Sequence, residues 1–266
     1  MLSEPRLLAV TGRPVGHSRS PAMQQAALDE LGIPWRYLRL PLPPALFAEA
    51  VRALPGAGYA GLNVTVPHKE AALALADRPS PEAAAIGAAN TLTFRDGEIA
   101  ADNTDAPGLI AALGEDVAGR RALVLGAGGA GRAAAWALRE AGAEVSVWNR
   151  TAERARRLAD ELAVRHAASP GETDLLVNTA AAELDPGADP LAALGLRGVE
   201  PPPLVADLVY ADGGTELTRW ADAGGARVVD GLEVLVRQGA LSLRLWTGLE
   251  APLATMRAAV QAELDG

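Results

Sequence analysis

A chain of 266 residues, 49% hydrophobic and 21% charged, has room for one large or two modest globular domains with ample core. A net charge of −9 gives nucleic-acid binding no electrostatic support, and the absence of cysteine excludes disulfides, thiol nucleophiles and Cys-based metal sites. The three histidines, at 17, 68 and 166, have no metal-ligating spacing, the first residues lack a signal-peptide pattern, and no apolar run reaches ~18 residues, so a cytoplasmic protein without a membrane span is expected.

Strand then helix, repeated, is the dominant pattern, which predicts α/β layers around a mostly parallel sheet. Residues 7–11 read as a strand and 12–20 as a polar loop. A helix follows over 21–31, with Ser20 as its N-cap and Pro21 at its first position. A second strand is expected at 36–40, a helix at 45–54 and a third strand at 62–66. Short helices follow from Lys69 and near 81–86, then a hairpin of 91–95 and 98–101 about Asp96-Gly97, then a helix over 105–113. A second unit opens at Arg121: a buried-type strand, a glycine loop, a helix to Ala141, a strand at 144–148 and a helix at 152–162. Further strands are expected at 174–178, 204–208 and 227–229, and helices from Gly231 to the end, breaking near 248. The tail helix, about 252–264, finds no sheet partner in the second unit, so the C-terminal helices are expected to fold back onto the first.

Two features carry chemistry. Lys69 is the only lysine; the other 23 of the 24 Lys and Arg residues are arginine. The two cations differ in chemistry, since Arg keeps its proton while a desolvated Lys can act as acid or base. Lys69 stands where the alternation Asn63-Val-Thr-Val meets Pro67 and a helix start, a pattern that puts Asn63 and Thr65 on one strand face and Leu62, Val64 and Val66 on the other. The second feature is Gly126-Ala-Gly-Gly-Ala-Gly131, after an apolar strand and opening a helix. Its glycines let backbone amides approach a pyrophosphate at the positive helix end, so Gly126, Ala127, Gly128, Gly129 and Ala130 are read as cofactor-binding. At the end of the next strand an NAD reader would carry a carboxylate for the ribose 2′-hydroxyl. Asn149, Arg150, Thr151 and Arg154 stand there instead, and an Arg pair is suited to clamp a 2′-phosphate, so the cofactor is read as NADP(H). Arg156 and Arg157 read as a solvated helix face.

The chain resembles the shikimate dehydrogenase family along most of its length. The resemblance rests on Gly16-His-Ser-Arg-Ser-Pro21, Asn63-Val-Thr-Val-Pro-His-Lys69, Gly87-Ala-Ala-Asn-Thr91, Asn103-Thr-Asp105, the glycine loop through Arg132, Asn149-Arg-Thr151, Asp207-Leu-Val-Tyr210 and Gln238-Gly-Ala240. It implies Lys69 and Asp105 as a catalytic acid–base pair, and Ser18, Ser20, Asn63, Thr65, Asn90, Tyr210 and Gln238 as contacts to shikimate or 3-dehydroshikimate. It also implies that Leu208 and Gly231 lie near the nicotinamide. The fold it implies is two α/β domains with a cleft between them: a substrate domain of residues 1–106 plus 236–266, and an NADP-binding Rossmann-type domain of 107–235. The activity implied is NADPH-dependent reduction of 3-dehydroshikimate in aromatic amino acid biosynthesis, by a monomer or homodimer.

Some positions depart from the family pattern. Asn178 is followed by Thr-Ala-Ala-Ala-Glu in place of Ala-Thr-Ser and Gly, and Val234-Leu235 replaces Met-Leu. Ala-Asp-Gly-Gly follows Tyr210 in place of x-Pro, and His68 replaces a common Phe, where packing is the expected role. Alternatives weighed against this reading are a relative that prefers quinate, an amino analogue or NAD, a catalytically idle paralogue, and a folate dehydrogenase of similar domain plan. Arg150 speaks against NAD, and the presence of both Lys69 and Asp105 speaks against an idle paralogue.

Overall fold

The computed structural model describes residues 2–180 and 189–263. The chain divides into two compact units, Met1–Gly108 with Leu235–Gly266, and Leu109–Val234.

The first unit carries β1 (Leu7–Thr11), α1 (Ser20–Glu30), β2 (Arg36–Arg39), α2 (Pro44–Ala53), β3 (Tyr59–Val64), α3 (Lys69–Ala74), β4 (Arg78–Pro79), α4 (Pro81–Ile86), β5 (Thr91–Arg95), β6 (Glu98–Asp102) and the start of α5 (Asp105–Leu113). Its six-stranded sheet runs β2-β1-β3-β5-β6-β4. β1 is parallel to β2 and β3, and β5 is antiparallel to β3 and β6. The β5–β6 hairpin turns on Asp96 and Gly97 with φ of 54° and 80°, the left-handed pair that suits the strand twist. Phe47, Val51, Leu62, Val64, Leu92, Phe94 and Ile99 form the core on one face. α10 (Gly231–Thr247), most of which belongs to this unit, is tied to the sheet by Trp246 Nε1, which donates to the Leu92 carbonyl at 2.9 Å. α11 (Leu253–Ala262) packs along α1. The C-terminal helices therefore do complete the first unit.

The second unit contains β7 (Arg121–Leu125), α6 (Gly129–Glu140), β8 (Glu144–Trp148), α7 (Ala152–Leu162), β9 (Arg165–His166), β10 (Leu175–Asn178), α8 (Pro190–Ala193), β11 (Leu204–Asp207), α9 (Glu216–Ala223) and β12 (Arg227–Val229). All pairings in its sheet are parallel, and the order is β12-β11-β10-β7-β8-β9. Counted from β7 this is 3-2-1-4-5-6, the doubly wound nucleotide-binding order, whose switch point lies between β7 and β10. Apolar clusters fill both faces, one built on Val124, Val145, Leu158 and Val177, the other on Leu123, Leu176, Val205 and Leu217. Such near-continuous apolar strands are what a sheet covered on both sides requires. No helix among the described residues is long and apolar enough to cross a membrane.

Two local expectations need correction. Ser20 is the first residue of α1, not its cap, and its amide donates to Ser18 Oγ at 3.3 Å. β3 ends at Val64 instead of running to Val66, which is 57% exposed. The Thr65 amide still donates to the Thr11 carbonyl, but Pro67 has no amide to offer and His68 N turns back to the Thr65 carbonyl at 3.0 Å, so the ladder gives way to a turn. The strands β4 and β9 and the helices α8 and α9 have no counterpart in the sequence reading.

Candidate active site

In the first unit the polar residues singled out above converge on the carboxyl end of β3 and the start of α5. α3 begins at Lys69, and the Lys69 carbonyl accepts from Ala89 N at 2.9 Å, which binds this helix start to the segment before Asn90. Asn103 Oδ1 accepts from the amides of Asp105 at 3.1 Å and Ala106 at 3.2 Å and so starts α5 with Asp105 in its first turn. These two helix starts bring Lys69 Nζ to 2.6 Å from Asp105 Oδ2, with side chains only 10% and 14% exposed. A charge-assisted bond this short in a largely dry place fixes both groups.

Asn90 holds the other carboxylate oxygen: its Nδ2 donates to Asp105 Oδ1 and Thr104 Oγ1, each at 2.9 Å, and lies 3.2 Å from Gln238 Oε1. Its Oδ1 accepts from Thr104 N at 2.7 Å, which fixes the amide's orientation. Asn63 Nδ2 lies 3.2 Å from Thr91 Oγ1 and 3.0 Å from Ser242 Oγ, and Asn63 Oδ1 accepts from the Tyr37 hydroxyl at 2.7 Å. Ser242 Oγ also stands 2.8 Å from Thr91 Oγ1 and 3.1 Å from Thr104 Oγ1. Burial pushes the Tyr37 hydroxyl well above its usual range, a shift that a hydrogen bond from Ser20 opposes. Ser18, whose carbonyl accepts from Arg39 at 2.8 Å, adjoins Ser20 through the bond already described.

Lys69, Asp105, Asn90, Gln238 and Asn63 thus belong to one hydrogen-bonded constellation, and Ser20 reaches it through Tyr37. Thr65 is half-buried just past the strand, its methyl packed where Gly12 lacks a side chain; a Cβ on Gly12 would come within 2.3 Å of it. Tyr210 lies in the second unit and is half-buried just beyond β11. The sequence reading missed Tyr37, Thr91, Thr104 and Ser242 as members of this network. Ser242 had a signal: it is one helical turn beyond Gln238, on the same face of α10, in an otherwise apolar run. Tyr37 had only its place as the single buried position of β2. His68 packs as expected, stacked on Phe47 with ring centroids 4.4 Å apart and its Nε2 2.8 Å from the Leu42 carbonyl.

In the second unit the glycine loop joins β7 to α6. Gly126 has a φ of +111°, and a Cβ there would come 2.4 Å from Thr179 Oγ1; a Cβ on Gly131 would come 2.2 Å from the Gly126 carbonyl. Gly128 has open space around it and precedes the first turn of α6, whose amides have no helical partner. Ala127, Gly129 and Ala130 complete the loop, so the residues present fit a dinucleotide pyrophosphate. Asn149 Nδ2 donates to the Thr151 carbonyl at 3.0 Å, shaping the turn after β8 from which Arg150 and Arg154 are exposed. No ion pair of Arg154 occurs among the described residues, whereas Arg156 pairs with Glu153 on the solvent face at 3.6 Å. Leu208 and Gly231 are in direct contact: a Cβ on Gly231 would lie 2.7 Å from the Leu208 carbonyl oxygen. Of the unusual segment after Asn178, residues 181–183 lie outside the described residues.

A doubly wound nucleotide-type sheet, together with a unit holding a buried lysine–aspartate pair, is the build of a pyridine-nucleotide dehydrogenase. Known proteins make this specific. The chain matches the family models described as Shikimate dehydrogenase substrate binding domain over residues 10–92, Shikimate / quinate 5-dehydrogenase over 109–180 and Shikimate 5'-dehydrogenase C-terminal domain over 231–261. It is 46% identical to a shikimate dehydrogenase (NADP(+)) of Anaeromyxobacter dehalogenans, with 96% of each chain covered. A crystal structure of shikimate 5-dehydrogenase from Thermus thermophilus, in complex with NADP(H) and shikimate, is 44% identical with a TM-score of 0.85, covering 97% of this chain and 99% of that one. A 5-ketofructose reductase of Gluconobacter has the same fold at 28% identity and a TM-score of 0.81, covering 98% of this chain and 99% of that one. The fold therefore does not choose the substrate; site residues do. The chain belongs to the shikimate dehydrogenase family.

Proposed function

We propose that this protein is an NADP-dependent shikimate dehydrogenase that reversibly reduces 3-dehydroshikimate to shikimate in the biosynthesis of chorismate and the aromatic amino acids, with Lys69 and Asp105 as its acid–base pair. The observation that carries the residue assignment is the 2.6 Å contact between the single lysine and a carboxylate, both largely shielded from water and surrounded by amides and hydroxyls.

Reduction of a ketone places a hydride on carbon and a proton on oxygen. NADPH, when bound, supplies the hydride. Lys69 gives the proton to the carbonyl oxygen in reduction and takes it from the hydroxyl in oxidation. Asp105 keeps the ammonium aimed, and Asn90 keeps Asp105 aimed through the opposite oxygen. Asn63, Asn90 and Gln238 present amides and Ser18, Ser20 and Thr65 present hydroxyls, a donor and acceptor set suited to a carboxylate ringed by hydroxyl groups. Tyr210 is assigned to the substrate as well, on the family resemblance.

Gly126 to Ala130 would hold the pyrophosphate, Asn149, Arg150, Thr151 and Arg154 the adenosine 2′-phosphate, and Leu208 and Gly231 the nicotinamide end. This makes the first unit the substrate domain and the second the NADP domain. Shikimate is a small anion, and a chain of net charge −9 must meet it with local donors, which supports a small-molecule partner and not a nucleic acid. A cytoplasmic enzyme acting as monomer or homodimer goes with this reading.

The test is shikimate or quinate offered with NADP or NAD, followed at the nicotinamide band. Fast NADP reduction by shikimate alone is the expected result. Faster turnover of quinate would move the assignment to a quinate-preferring relative, and no turnover with either would overturn it.

A further inference from the structure

Asp207 ends β11 with no solvent exposure at all, and the roles above leave it without a task. A carboxylate removed from water is retained at a cost unless its oxygens are satisfied. Here Oδ1 accepts from Asn178 Nδ2 at 2.8 Å and from Val209 N at 3.0 Å, and Oδ2 accepts from Thr215 Oγ1 at 2.6 Å. Asn178 ends β10 and brackets Ala180 in both directions, its Nδ2 donating to the Ala180 carbonyl at 3.1 Å and its Oδ1 accepting from Ala180 N at 3.0 Å. Between them Thr179 donates to the Leu125 carbonyl at 2.8 Å and stands against Gly126 of the phosphate loop. Thr215 caps α9, its Oγ1 accepting from Thr218 N at 3.0 Å. One buried carboxylate thus fixes the chain just past β10, the chain just past β11 and the start of α9.

The place of this lock in the sheet gives it a purpose. A dinucleotide lies across the carboxyl ends of such strands, one nucleotide half on each side of the switch point. The cation-bearing turn after β8 takes the adenosine half, so the other half falls to the β10–β11 side, where the lock sits. The geometry points to Asp207 as a positioning residue for the nicotinamide half of NADP(H), acting through Asn178 and Thr215. This rests on the NADP-dependent reading above.

Asp207→Asn is nearly isosteric but turns one acceptor into a donor, so the bonds described cannot all keep their present directions: a backbone or amide donor must turn away or the Thr215 hydroxyl must rotate to accept. Thr215→Val removes the hydroxyl that donates to Asp207 and accepts from Thr218 N, and Thr215→Ser keeps it. Each variant is titrated with 2′-phospho-ADP-ribose, which lacks the nicotinamide, and with NADPH, whose emission when bound reports the surroundings of that ring. Expected are unchanged affinity for the fragment, altered emission of bound NADPH, and a kcat for shikimate oxidation about tenfold to a hundredfold lower in Asp207→Asn and Thr215→Val, with Thr215→Ser close to wild type. Emission and kcat like wild type, or fragment affinity falling in step with kcat, would overturn the proposal. If Asp207→Asn does not fold, the two Thr215 variants decide alone. A wild-type protein that binds both nucleotides but does not oxidise shikimate would break the assigned function and leave the emission and fragment tests of Asp207 standing.

Discussion

The two units prepare for their ligands by opposite means. In the first unit the candidate site is made of side chains, and nearly every one is buried and held by others: Asn90 by Thr104, Asn63 by Tyr37 and Ser242, Lys69 by Asp105. In the second the proposed phosphate site is made of backbone, where the decisive property of Gly126 and Gly131 is the side chain they lack, and the cations proposed to complete it are exposed. The contrast follows from the work to be done. A proton must be delivered at one atom, so the first unit fixes rotamers through a network of many partners. A pyrophosphate needs only amides and a helix end, so close approach is enough. Damage to the first unit's side-chain network should therefore appear in turnover and stability, and damage to the second unit's glycine loop and cations in cofactor affinity.

Substitutions can break this division. Gly131→Ala puts a Cβ 2.2 Å from the Gly126 carbonyl, a backbone atom that cannot swing aside. Displacing the loop should weaken NADP binding by about a hundredfold while shikimate binding, measured by calorimetry, stays at its wild-type value. An unchanged NADP affinity would mean that the loop is not the phosphate site. Arg150→Ala, also in the second unit, should be milder. Loss of one charge-assisted contact, about 1.5–3 kcal/mol, lowers the preference for NADP over NAD without lowering NAD affinity, as steady-state KM values for both cofactors would register.

Substitutions in the first unit should leave both cofactor constants alone. Ser242→Ala strips a hydroxyl from the middle of the Asn63–Thr91–Thr104 network and should cost about 1–3 kcal/mol, read as a lower Tm in calorimetry. The smallest effect concerns alkaline pH. The Tyr37 hydroxyl is held above its usual range by burial, so as pH rises past the unfolded value of about 10 the unfolded chain releases this proton while the folded one keeps it. Stability contributed by neutral Tyr37 is complete below that pH and falls above it. Denaturant unfolding of wild type and Tyr37→Phe at increasing pH should show a steeper alkaline decline for wild type.

The same contrast governs what could be read from sequence. The glycine loop, the Asp96-Gly97 hairpin and the apolar strands of the second sheet are local: the residues that make them are neighbours in the chain, and backbone geometry dictates their types. Lys69 was legible as a single residue, while Asp105 and its pairing with Lys69 came only through the family resemblance, because the contact depends on two helix starts 36 positions apart. Tyr37 and Ser242 meet at Asn63 from β2 and α10, and nothing local to either announces the meeting. Thr65 and Val66 were read by alternation, which failed where Pro67 ended the ladder. α9 went unread although Thr215 and Thr218 form a capping box directly after two glycines, a signal present in the sequence and passed over.

In the proposed reaction the single lysine moves the proton. The most direct measurement is shikimate-dependent reduction of NADP by Lys69→Arg, with shikimate affinity measured on the same preparation by calorimetry. Arginine keeps the positive charge beside Asp105 but does not release its proton, so shikimate binding should stay near wild type while kcat falls by about a hundredfold to ten-thousandfold. An arginine variant that binds shikimate and turns over like wild type would contradict it.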